Sequence, residues 1–215
     1  MSKTAKLNNW NKTDTAIFWG EIAPSDHVLQ IYENDETFIN TLAGFVGTGI
    51  NSGDCSVVIA TPSHIIQLEQ KLQSLGLNIR GLIDDVRYMP LDAEETLSKF
   101  MVNNWPDPKL FHQTINGVIE KGTSNHRGIR AFGEMVAILW AQGHCGATVQ
   151  LEALWNDLIR KRSFPLFCAY PKTGFTQDLT QSMNDICCNH SRMISNPDNS
   201  LTDILYADLS LREAV

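Results

Sequence analysis

Chemistry in this chain rests on a few polar residues set among apolar runs: His27, Tyr32, Arg130, Glu134, Glu152, Cys168 and Tyr170. Arg130 and Glu134 are four apart in a segment that reads as a strand, so both point to one face with Phe132 between them. A charge removed from water needs a partner, so the two either join an internal ion-pair network or line a cavity. Glu152 and Asn156 stand at i and i+4 beside an apolar stripe and are neighbours on one helix face, with an exposed or capping role as the alternative. His27 opens a strand. Its imidazole, with an ordinary pKa near 6.5, suits ligand binding or pH response as well as a purely structural bond. Tyr32 and Tyr170 close their strands, where open parallel sheets place ligand crevices, although packing explains a strand-end tyrosine too. Cys168 is either a ligand-contacting or redox thiol, or an inert buried one.

Other patterns do not complete a site. Lys172-Thr173-Gly174 has no Ser-x-x-Lys to supply a nucleophile. Cys187-Cys188 with His190 suggests a metal, yet adjacent cysteines on a helix diverge by about 100° and rarely chelate together. No metal and no cofactor is expected.

The elements that must position these residues follow from periodicity. His27–Tyr32 alternates as a strand, and Asn34 or Asp35 caps a helix carrying Phe38, Leu42, Phe45 and Val46 on one stripe. Asn51-Ser52-Gly53-Asp54 is a turn, and Cys55–Ala60 is the continuous apolar run of a strand buried on both faces. A helix is predicted over 63–75 and a short strand over 86–89. Helices follow over 93–102 and 110–121, on either side of Trp105-Pro106-Asp107-Pro108. A strand over 128–134 leads into the apolar segment 135–140. Beyond it come a helix over 148–160, a strand over 164–170, a helix over 178–194 and an amphipathic helix over 201–211. Strands alternating with helices imply one α/β domain, a three-layer αβα sandwich around a mostly parallel sheet. Residues 1–16 read as a flexible leader, 17–195 as the domain and 196–215 as a C-terminal tail.

The order strand, loop, helix, turn, buried strand is that of a P-loop ATPase of the RecA type, whose first loop cradles phosphates with glycines and a lysine. Here the loop is Tyr32-Glu33-Asn34-Asp35-Glu36-Thr37, with three carboxylates and neither glycine nor lysine. Two like charges about 4 Å apart repel by roughly 4 kcal/mol at an effective dielectric of 20, so this loop opposes a triphosphate. The chain is therefore expected not to be an enzyme.

Composition narrows the partners. Net charge of −7 disfavours nucleic acid, and Arg160-Lys161-Arg162 is a helix-end cluster that suits the helix dipole. No run approaches the roughly 20 apolar residues of a membrane span. Five cysteines without C-x-x-C spacing fit a reducing cytoplasm.

Taken in order, His27 with Tyr32, Gly49-Ile50-Asn51-Ser52-Gly53-Asp54 before Val57–Ala60, Leu72–Leu77, Arg130–Met135, Leu151–Asn156 and Leu166–Tyr170 resemble the methanogen/methylotroph sensory (MEDS) domain over 24–193. That family is similar to RecA-like and circadian-clock ATPases with a degenerate nucleotide loop. The resemblance implies a prokaryotic sensor of small organic compounds, working with histidine kinases or transcription regulators. With no such module in this sequence, a partner in trans is expected. The ligand is expected at the carboxyl ends of the strands, near His27, Tyr32, Arg130, Glu134 and Tyr170. The competing expectations are a residual NTPase or phosphotransferase using Glu134, and an interaction module that forms homo-oligomers.

Overall fold

The computed structural model describes residues 19–174, 184 and 186–194. The leader and the tail after residue 194 lie outside them. Along the chain run β1 (His27–Tyr32), α1 (Asp35–Asn51), β2 (Cys55–Ala60), α2 (Pro62–Ser74), α3 (Ile79–Asp84), β3 (Tyr88–Asp92) and α4 (Ala93–Ser98). Then come β4 (Met101–Val102), β5 (Trp105–Pro106), α5 (Pro108–Gly122), β6 (Ile129–Gly133), α6 (Met135–Ala141), α7 (Cys145–Arg162), β7 (Leu166–Pro171) and β8 (Arg192–Ile194).

Among the described residues, six strands form an all-parallel sheet in the order β3-β2-β6-β7-β1-β8, and β4 with β5 makes a small antiparallel pair. Strand alternation divides the core in two. Leu29, Ile31, Val57, Ile59, Ala131, Leu166, Cys168 and Tyr170 point to the side covered by α4 to α7. Val28, Tyr32, Val58, Ala60, Phe132, Phe167 and Ala169 point to the side covered by α1 to α3. Both faces are covered, which is why Cys55–Ala60 reads as a continuous apolar run and even the polar His27, Gln30 and Arg130 of β1 and β6 are buried. The expected three-layer αβα architecture is the one observed.

Local chemistry sets the element ends. Asn34 caps α1, its Oδ1 accepting from the Thr37 N–H at 2.9 Å. Asp92 and Asp107 cap α4 and α5 in the same way. Two predicted helices are corrected. The helix expected over 93–102 stops at Ser98, and 101–106 turn back as β4 and β5 through Asn103 and Asn104, both at positive φ. Within 178–194, residues 186–188 are helical, but 192–194 pair in parallel with Val28–Gln30 as edge strand β8. Backbone pairing to β1 outweighs helix periodicity there. Residues 178–183 and 201–211 lie outside the described set.

Candidate functional site

The sheet face beneath α7 holds a polar cluster in an otherwise apolar core. His27 from β1 and Cys168 and Tyr170 from β7 share one strand parity, and the register sets Leu29 opposite Cys168 and Ile31 opposite Tyr170. Helix α7 lowers Glu152 and Asn156 onto them from consecutive turns, and the segment before β8 brings Asn189 and His190. His27 Nε2 is 3.3 Å from Cys168 Sγ and 3.4 Å from Glu152 Oε2. Cys168 Sγ is 3.8 Å from the same carboxyl oxygen, while Tyr170 donates its hydroxyl hydrogen to Glu152 Oε1. His190 Nε2 lies 3.6 Å from Glu152 Oε1, and its ring sits 3.9 Å from that of His27 between centroids. The side chains of His27 and His190 are 1% exposed and that of Glu152 is 0% exposed, so water does not solvate the group.

Burial governs the electrostatics. It pushes Glu152 up to about 8, against the opposing hydrogen bonds from Tyr170 and Cys168. It pulls His27 down to about 4, and it holds His190, beside His27, well below the usual histidine range. Burial and the neighbouring Glu152 raise the Cys168 thiol well above its ordinary value. Each group is driven towards its uncharged form, so the His27–Glu152 contact joins neutral groups rather than an ion pair.

The tautomers are set by what surrounds the rings. His27 Nδ1 is 3.0 Å from the Asn189 carbonyl oxygen and 3.1 Å from Asn156 Oδ1, while the Asn156 amide donates to Asn189. His190 Nδ1 is 2.7 Å from the Ile186 carbonyl oxygen. Carbonyl oxygens only accept, so both Nδ1 atoms carry the hydrogen and both Nε2 atoms turn lone pairs inward. For His190 that inward nitrogen is buried and has no hydrogen-bond partner.

The remaining expected residues lie elsewhere. Arg130 projects from the amino half of β6 to the opposite face. There its Nη2 and Nε donate to Asp54 at 2.9 and 3.2 Å, and its Nη1 donates to the Phe45 carbonyl at 3.0 Å. Glu134 falls just past β6, so the expectation that it shares a strand face with Arg130 is corrected. Its carboxylate accepts from the Thr61 N–H at 2.8 Å and touches His64 Nδ1 at 2.7 Å, at the carboxyl ends of the strands. Burial tends to lower the His64 pKa, but Glu134 and Asp35 outweigh it and raise the pKa overall. Tyr32 stacks on Phe38 at 4.6 Å, next to that pair. The seven expected residues thus divide into a buried cluster of His27, Glu152, Cys168 and Tyr170, Tyr32 and Glu134 at the carboxyl ends of the strands, and Arg130 apart from both.

The model of one protein family, described as the methanogen/methylotroph, DcmR sensory domain (MEDS), matches residues 26–191. The chain belongs to the MEDS family. No curated protein matches it. The matched span of this MEDS chain encloses all of the buried cluster, including His190 close to its end. Among the described residues, no helix of the MEDS chain is long and apolar enough to cross a membrane.

Asn189 is a site residue that sequence reasoning did not bring in, and the same reasoning considered His190 with Cys187-Cys188 as a metal candidate and set it aside. Cys187 and Cys188 do diverge, one buried and the other exposed, and neither joins His190 in the cluster. The available signal was His190 itself, a histidine just before a segment able to add a strand to β1.

Proposed function

We propose that this MEDS domain is a non-catalytic sensor whose detecting centre is the buried cluster beneath α7, and that it reports on a small molecule to a kinase or transcription regulator in trans. One observation carries the reading: His190, whose inward nitrogen lacks a hydrogen-bond partner, sits two residues before β8, the edge strand beside β1. Occupancy of the cluster and docking of that edge are therefore linked. Ser191 strengthens the link, since its hydroxyl accepts from the His27 N–H at 2.8 Å and its own N–H donates to the His27 carbonyl. A ligand shifts such an element only by its differential affinity for the docked and undocked states.

The absence of a lysine or glycine in the loop 32–37 supports a non-catalytic role, as do the carboxylates at the start of α1. The Glu134–His64 pair favours the competing reading of a residual phosphotransferase, because a carboxylate and an imidazole meet at the strand ends. Thermal stability against a library of small organic compounds separates the two. A compound present at about 100 times its Kd stabilises the fold by about 2.7 kcal/mol. Hits that lose their effect in Glu152→Gln and keep it in Glu134→Gln support the cluster. Hits with the reverse pattern, or ATP turnover abolished by Glu134→Gln, would move the function to the Glu134–His64 pair at the strand ends.

A further inference from the structure

Two imidazoles, a thiol and a carboxyl group converge where each side chain is at most 1% exposed, and their ligand atoms all lie within 4.8 Å of one another. We propose that His27 Nε2, His190 Nε2, Cys168 Sγ and Glu152 form a closed four-ligand site for a borderline-soft divalent transition ion, with zinc as the best match. The proposal deepens the reading of the same cluster as the detecting centre: the ion would be what holds β8 and α7 to the sheet.

Geometry is the first support. With metal–nitrogen and metal–oxygen bonds of about 2.0 Å and a metal–sulfur bond of about 2.3 Å, tetrahedral edges run about 3.3–3.5 Å. Among His27 Nε2, Cys168 Sγ and Glu152 Oε2 the edges are 3.3, 3.4 and 3.8 Å, and His190 Nε2 lies 3.6 Å from the other carboxyl oxygen, Oε1. Three of the four ligand atoms are already placed as one face of a ligand shell, within a few tenths of an ångström, and His190 Nε2 stands within 4.8 Å of each of them. A hydrogen-bond network alone accounts for less. Tyr170 and Cys168 can serve Glu152, but nothing donates to His190 Nε2, which ends as a buried lone pair aimed at the others. A cation supplies the missing partner.

The surrounding shell fits as well. Carbonyl oxygens hold both Nδ1 hydrogens, leaving both Nε2 atoms free to bind, and Tyr170 fixes the outer oxygen of Glu152. The donor set selects the metal: one thiolate and two imidazoles are too soft for magnesium or calcium and suit zinc. Charge closes too, because a thiolate and a carboxylate together neutralise a divalent ion in a site that water does not reach. On binding, the Cys168 thiol proton and the Glu152 carboxyl proton both leave to solvent, as Sγ–metal and Oε2–metal bonds replace the S–H and O–H bonds. Four protein ligands leave no position for a reactive water, the pattern of a structural or regulatory ion.

The test is titration of the chelator-treated full-length protein with cobalt(II), read by visible absorption and by the sulfur-to-cobalt charge-transfer band, then competition with zinc. The expected result is one ion per chain, the intense bands of four-coordinate cobalt and full displacement by zinc. Cys168→Ser should abolish the charge-transfer band, and His190→Gln should weaken binding by about 100-fold or more, with folding checked by circular dichroism. Tyr170→Phe keeps all four ligands and should weaken binding roughly 10- to 100-fold, so it tests the shell even if a ligand variant fails to fold. Cys55→Ser and Cys187→Ser should change nothing. Absence of binding, octahedral-type spectra, or a charge-transfer band that survives Cys168→Ser and is lost in Cys187→Ser would each overturn the proposal. The sensory reading fails separately: a cobalt site that forms as expected while no compound's thermal shift depends on Glu152 would refute the detector and leave the metal site standing.

Discussion

Arg130 is the most informative residue outside the cluster, since its type suggests ligand binding while its surroundings assign it a structural job. Asp54→Ala removes the carboxylate that takes two of its donors and leaves a guanidinium 5% exposed with the Phe45 carbonyl and the Phe45 ring as its remaining described contacts. Breaking a buried pair from one side costs about 3–5 kcal/mol. Asp54 is 24% exposed, so water softens the loss and the low end of that range, about 3 kcal/mol, applies. Replacing both partners should recover much of this: Arg130→Met lays an apolar chain of similar length against Phe45 and needs no counter-charge. Urea unfolding of the two single variants and the double variant gives the cycle directly. Binding at the cluster should be unchanged in every variant that folds, because Arg130 lies on the other face of the sheet. A cost for Asp54→Ala below about 1 kcal/mol, or loss of cluster binding with the fold intact, would refute the placement of Arg130 as a tie between β6 and α1.

Further consequences follow from the same geometry. Gly49→Ala would put a methyl group 2.2 Å from Arg130 Nε, and displacing that buried side chain should cost about 1–3 kcal/mol in urea unfolding. His64 has a raised pKa in the folded protein, so its contribution to stability is fully present below the ordinary value of 6.5 and is lost as pH rises through the folded pKa. Glu134→Gln should move the NMR titration of His64 downwards and flatten that part of the stability profile. Tyr170→Phe removes the hydroxyl that Glu152 Oε1 accepts from and should cost about 1–3 kcal/mol in metal-free protein, measured by thermal unfolding at a fixed pH.

The framework of the fold was legible because each central strand is buried on both faces. His27–Tyr32 and Cys55–Ala60 have the bounds their composition suggested, and the Asn34 cap starts α1 where its side chain allows. Short elements were not legible. In α3, Ile79 and Leu82 are the buried residues, too few to show a period, and β4 with β5 has four residues in all. The Asn103-Asn104 pair between those strands was a usable turn signal, since asparagine tolerates positive φ. Half of the site was legible by parity alone. Leu29 and Cys168 share a face and Phe132 takes the other, which separates His27, Cys168 and Tyr170 from Arg130. Recruitment of His190 depended on β8 adding to the edge of the sheet, a long-range pairing that helix periodicity in 178–194 conceals.

Amide hydrogen exchange of the full chain, with and without saturating zinc, reports directly on whether the cluster is the centre that moves the edge of the sheet. Slower exchange in β1, in α7 and across 186–194, with 61–64 and 134 unchanged, is the expected result. Protection confined to 33–37, 61–64 and 134, or no change in 186–194, would contradict the assignment.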